Sequence, residues 1–170
     1  MVAVCATAVS LGACAVRPRD PVTVGPGGAE SLGNPFAPAT VRIHPLTHVQ
    51  KDPDGKVWII CHLELKDAWG DTTKGIGQVE VQLYRPSGGP GSGIGTQELK
   101  WPTDLSDLKN NAALYDPPTR TYRLPLQNAP AWVAGEDGKE RPRVRLRVVL
   151  ATRGPGGEKR VLQGEYVINE

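Results

Sequence analysis

The chain has 170 residues, with 20 Lys and Arg against 18 Asp and Glu and a formal net charge of +2. A balance that small, with both signs interleaved, gives no argument for nucleic acid or an anionic membrane as partner. Gly (20) and Pro (16) are frequent, yet together fall below the roughly 25–30% that marks low-complexity disorder. Val and Ile together outnumber Leu, a bias that suits strands because branched Cβ atoms pack well on a pleated surface.

From Val2 to Val16 every residue is apolar or small apart from Thr7 and Ser10, and the first charged side chain is Arg17. The stretch is shorter than the ~20 apolar residues that span a bilayer. Its length and character match the apolar core of a secretory signal peptide; a buried strand or short core helix is the other reading. It ends in Leu11-Gly12-Ala13-Cys14, which resembles the lipobox of bacterial lipoproteins. That resemblance implies that residues 1–13 are a cleaved signal peptide and that Cys14 is lipidated, holding the chain on a membrane. Ala15 after the cysteine implies outer-membrane sorting in a two-membrane bacterium, so the expected location is the cell envelope, on the periplasmic side. Acyl chains bury methylenes at ~0.8 kcal/mol each, enough for stable anchoring. Cys5 then leaves with the signal and Cys14 is acylated, so Cys61 stands alone and no internal disulfide is expected.

Residues 14–39 read as lipid anchor and flexible tether, because Arg17-Pro18-Arg19-Asp20-Pro21 and Gly25-Pro26-Gly27-Gly28 hold no apolar pattern. The domain is expected over residues 40–170. Val41 and Ile43 alternate with Arg42 and His44 in a short strand, closed by Pro45. Asp52-Pro53-Asp54-Gly55 reads as a turn: Pro presets φ, Gly supplies positive φ and Asp caps the backbone. Val57 to Lys66 is the strongest strand. Val57, Ile59, Cys61, Leu63 and Leu65 form one face; Trp58, Ile60, His62, Glu64 and Lys66 form a second, expected to be half exposed. A loop over 67–77 leads to Gln78–Tyr84, with Val79, Val81 and Leu83 inward. Arg85–Gly95 reads as a Gly/Pro/Ser loop. Asp104–Leu114 is the one segment where a helical turn is expected, with Asp104 as N-cap. Asp116-Pro117-Pro118-Thr119 turns into a strand over Arg120–Leu126. Arg143–Leu150 and Val161–Ile168 form a hairpin through Gly154-Pro155-Gly156-Gly157.

About seven short strands at this spacing, with at most one short helix near 104–114, predict an all-β antiparallel sandwich of immunoglobulin-like or transthyretin-like kind. The run His62–Tyr84 contains a strand, Asp67-x-x-Gly70 and then Gly77-x-Val79-x-Val81-x-Leu83. Over these residues it is similar to the opening strands of transthyretin-like and carboxypeptidase-regulatory-like domains. That resemblance implies a non-catalytic module for adhesion, support or assembly.

Candidate chemistry is sparse. His44 and His48 on one strand face would stand about 13 Å apart by strand rise, too far to share an ion unless the chain bends. Asp67, Asp71, Asp104 and Asp107 in loops invite calcium, but turn capping accounts for them. The loop Gly88–Gly95 fits no phosphate-binding fingerprint. Cys61 and His62 point to opposite faces of one strand, which argues against a nucleophilic dyad. Trp58, Ile60 and His62 on one strand, and the stripe Arg143, Arg145 and Arg147 on another, are the candidate interaction surface. Cross-strand pairing of the arginines with Glu64, Glu80 or Glu165 is the plainer account of that stripe. No cofactor and no metal site is expected. The expected role is a non-enzymatic envelope lipoprotein with a structural or protein-interaction task and an envelope protein as partner. A carbohydrate- or metal-binding module is the alternative, to be recognised by a concave site lined by Trp58, Trp69, Trp101 or Trp132.

Overall fold

A computed structural model describes residues 33–85, 95–135 and 143–168. The lipobox and Cys14 lie outside the described residues, as does most of the 85–95 loop. The architecture is a sandwich of two antiparallel sheets, as the alternation predicts. The first sheet contains β1 (Thr40–Ile43), β2 (His48–Lys51), β3 (Val57–Lys66), β7 (Thr121–Ala129) and β6 (Tyr115–Asp116). Both β1 and β2 pair with β3 along one edge, β7 pairs with its other edge, and β6 pairs with β7. The second sheet runs in the order β5 (Thr96–Asp104), β4 (Gly77–Arg85), β8 (Val144–Arg153) and β9 (Lys159–Ile168).

Period-two stereochemistry builds the core. Ile59, Cys61, Leu63 and Leu65 of β3 and Tyr122, Leu124 and Leu126 of β7 face Val79, Val81 and Leu83 of β4 and Val144, Leu146, Val148 and Leu150 of β8. All are buried, at roughly 1.5–3 kcal/mol for each large aliphatic side chain removed from water. The Asp52–Gly55 turn forms as read: Gly55 adopts φ 81°, and the Asp52 carboxylate accepts the Lys56 N–H at 2.7 Å.

Four details depart from expectation. The outer face of β3 is not half exposed along its length, because Ile60 (4%) and His62 (6%) are nearly sealed. Strand β5 is not announced by its sequence: TQELKWPTD carries Pro102 and three charged residues, which mask the inward set Leu99, Trp101 and Thr103 opposite Leu83, Val81 and Val79. The two short edge strands β2 and β6 were likewise not expected. The helix forms as α1 (Leu108–Leu114), but its N-cap is Asp107, which accepts the Lys109 N–H at 2.9 Å, while Asp104 ends β5 and accepts Ser106 N–H at 2.7 Å.

A bulge shapes one region of the first sheet. Between Val57 and Ile59 the register shifts from Ala129 to Leu126, so β7 holds one extra residue there. Asn128 takes φ 56° to accommodate it, a conformation that Asn tolerates better than most side chains. Nearby, the Gln127 carbonyl accepts the Trp101 indole N–H at 2.7 Å, which ties the open edges of the two sheets together.

Candidate functional site

The outer face of the first sheet is the most elaborated surface among the described residues. Strand alternation directs Trp58, Ile60, His62 and Glu64 outward from β3. Register then supplies their neighbours: Gln50 beside Trp58, His48 beside Ile60, and Arg42 beside Glu64 on one side; Pro125 beside Ile60 and Arg123 beside His62 on the other. Arg42 and Glu64 form an ion pair.

His62 is held by a hydrogen-bonded relay. Its Nδ1 lies 2.9 Å from Thr121 Oγ1, which lies 2.8 Å from Thr119 Oγ1, and the Thr119 hydroxyl donates to Asp116 at 2.6 Å. The Thr47 hydroxyl oxygen accepts the His62 backbone N–H at 3.0 Å, and His62 O accepts the His44 N–H at 2.7 Å. Burial, followed by the positive Arg123 and by His48, holds the His62 imidazole below its ordinary pKa; Asp116 opposes them, and His44 adds to the lowering.

The chain does bend between His44 and His48. Thr47 N–H returns to His44 O at 2.9 Å, and Leu46 N–H donates to His44 Nδ1 at 3.2 Å. His44 and His48 share a face, as their spacing predicts, and the bend holds both beside His62. Even so, no three His, Cys, Asp or Glu side chains among the described residues stand at ligating geometry. Three of the four loop carboxylates, Asp67, Asp104 and Asp107, serve as caps. Asp67 accepts Trp69 N–H at 2.9 Å and Asp71 N–H at 3.0 Å, as Asp104 and Asp107 do for their own turns.

Beside the relay lies a hollow of about 560 Å³. Trp58, Ile60, Tyr115 and Pro125 line it with apolar surface, and Gln50, Asp52, Asp116 and Arg123 bring polar groups to it. Tyr115 and Asp116 come from β6, 57 residues or more along the chain from Trp58. Only the pairing of β6 with β7 brings them here, so neither was singled out beforehand.

The six candidate interaction residues do not form one surface. Trp58 and Ile60 line the hollow, whereas His62 is buried beside it. Arg145 and Arg147 lie on the outer face of the second sheet, and Arg143 is exposed just before β8. Arg147 stands opposite Glu165 in register and hydrogen-bonds Gln163. Glu80 pairs instead with Lys100 at 3.3 Å, and Glu64 belongs to the other sheet, where Arg42 holds it. The other tryptophans are dispersed: Trp101 joins the sheet edges, Trp132 donates to Glu98 at 3.0 Å, and Trp69 projects from the β3–β4 loop, 67% exposed.

Cys61 sits fully buried on the inner face, opposite in direction to His62. Burial, only partly offset by a hydrogen bond with Thr47, pushes its thiol pKa up to about 12. A thiol so protonated has no nucleophilic character near neutral pH. No family model matches the sequence, and searches of the curated proteins and of the solved structures give no match.

Proposed function

We propose that the protein is an exported, lipid-anchored, non-enzymatic lipoprotein of the bacterial cell envelope, whose sandwich domain holds a partner protein. The observation that carries this reading is the hollow on the first sheet. An apolar centre of Trp58, Ile60 and Pro125, edged by Gln50, Asp52, Asp116 and Arg123, has the anatomy of an interface hot spot: an aromatic anchor within a polar rim. The apolar run ending in Leu11-Gly12-Ala13-Cys14 supports the anchoring.

The test is site-specific. A photo-cross-linker at Gln50, on the rim, is expected to capture one discrete envelope protein, and Trp58→Ala is expected to abolish that adduct. The same cross-linker at Gln163, on the outer face of the second sheet, is expected to give no such adduct. An adduct insensitive to Trp58→Ala, or equal from both positions, rejects the hollow as the docking site. For the anchor, mass spectrometry of the N-terminal peptide is expected to find acylated Cys14, and Cys14→Ser should release the protein from membranes; unmodified Met1 recovered from cytosol rejects it.

A second reading has its own support. Trp58 and Tyr115 present rings close to Asp52, Asp116 and Arg123, a combination that suits a sugar stacked on an aromatic ring and hydrogen-bonded at its edge. Binding of an envelope oligosaccharide that disappears in Trp58→Ala, with no protein adduct from Gln50, would select it.

A further inference from the structure

One pole of the sandwich collects residues 33–38, the β3–β4 loop, the start of α1 and the β8–β9 turn around a groove of about 750 Å³. Ile76, Leu108 and Val161 line it and are 58%, 68% and 61% exposed, although each is a large apolar side chain. Among the described residues, the charged ones lining it are Lys74, Arg153, Lys159 and Arg160, and no carboxylate lines it. Arg160 shares its charge with Glu158 at 2.8 Å and Lys74 sets its ammonium 4.2 Å over the Tyr115 ring, so the positive character rests chiefly on Arg153 and Lys159. At the same pole Phe36 and Trp69 are 61% and 67% exposed, with ring centroids 5.9 Å apart. Thr73 fixes this pair's neighbourhood by donating its hydroxyl to Phe36 O at 2.9 Å.

We infer that this pole is the face with which the domain lies on an anionic phospholipid bilayer: the groove cations meet lipid phosphates, and Ile76, Leu108, Val161, Trp69 and Phe36 enter the headgroup boundary. Charge complementarity argues for an anionic surface, since the charged side chains that line the groove among the described residues are all cationic, in a chain whose overall charge is nearly balanced. The exposed aromatic pair argues for a bilayer over a soluble anion, because amphipathic rings favour the membrane–water interface, where long Lys and Arg stems also place their charges at headgroup level. Chain geometry agrees. The inference rests on the anchoring proposed above, in which Cys14 precedes Gly33 by 19 residues, at most ~65 Å of extended chain, and Gly33 itself lines the groove. Lipid anchoring by a separate signal and surface attraction by basic residues act additively.

The experiment uses the full chain carrying Cys14→Ser, so that no acyl chain contributes. Flotation is expected with phosphatidylcholine vesicles containing phosphatidylglycerol and not with phosphatidylcholine alone, falling as salt rises. Lys159→Glu and Arg153→Glu are each expected to lower vesicle affinity by at least about fivefold. Trp69→Ser should weaken it as well, and Arg147→Glu on the second sheet should leave it within twofold. Circular dichroism confirms that each variant is folded. Equal binding to both vesicle types, no binding, or equal loss with Arg147→Glu overturns the inference. A dimer formed without vesicles and broken by Lys159→Glu also overturns it, assigning the groove to a second copy. Acylation of Cys14 is read separately on the native protein, so failure of the anchor and failure of this face remain distinguishable.

Discussion

At the scale of single residues, His62 and Cys61 are chain neighbours with opposite fates. His62 faces Thr121 within a positively biased setting of Arg123, His48 and His44, against which Asp116 is the opposing charge. Its folded-state pKa lies below the unfolded value of about 6.5, so between the two values the unfolded chain binds more protons. Stability therefore rises with pH through that window and is lost as pH falls from above about 6.5 toward the folded pKa. The urea midpoint is expected to drop between pH 7.5 and pH 5, and His62→Asn is expected to flatten that drop; an unchanged slope in the variant would assign the dependence to other groups. Cys61 should behave as a small core hydrophobe. In native protein the peptide containing Cys61 is expected to remain unlabelled by maleimide, with labelling tracking global unfolding in urea. Fast native labelling would contradict a buried thiol whose pKa is about 12.

At the scale of elements, α1 is joined to the sandwich by a buried polar node. Asn111 Nδ2 donates to Gly75 O at 2.7 Å and to Leu105 O at 2.8 Å, and its Oδ1 accepts the Tyr122 hydroxyl at 2.9 Å. Gly75 N–H in turn donates to the Tyr122 oxygen at 3.1 Å. The helix has only seven residues, too few to be stable alone, so this node, the buried Leu105 beside it and Leu114 packed on the core hold it. Asn111→Ala leaves buried carbonyls and a phenol without their partner, and is expected to cost about 2–3 kcal/mol in chemical unfolding. Asn110→Ala, which removes one exposed bond to Asp104 O, should cost less than about 1 kcal/mol. The reverse order would mean that the helix is held from its exposed side.

At the scale of the whole molecule, closure of the sandwich depends on β1 passing close over β9. A Cβ at Gly164 would stand 2.7 Å from Val41 O, nearer than backbone can accept. Gly164→Ala must push β1 and β9 apart, at an expected ~1–3 kcal/mol, whereas Gly157→Ala in the β8–β9 turn meets no neighbour and costs only its φ of 82°, ~1 kcal/mol. Equal losses in urea denaturation would show that the β1–β9 crossing does not limit stability. The same assembly sets two proposed surfaces on different parts of the fold, the hollow on the outer face of the first sheet and the cation-lined groove at the pole where residues 33–38 enter, with Lys74 over the Tyr115 ring between them.

Alternation of side chains along β1, β3, β4 and β8 is legible in the sequence, as are strands near β7 and β9, and with them the sandwich class, the inward sets of β3, β4 and β8, and the separation of Cys61 from His62. Those features follow from local stereochemistry, since a strand sends successive side chains to opposite faces whatever its partner. Strand β5 escaped because Pro102, Glu98 and Lys100 dilute its pattern, and β6 because two residues show no period. Which residues meet across strands was decided only in three dimensions. Pairing order set Arg123 beside His62 and Tyr115 by the hollow, the 44–47 bend gathered the histidines, and loop convergence put Lys74 near Arg153 and Lys159. Such neighbours depend on register and non-local contacts, which no short window of sequence encodes.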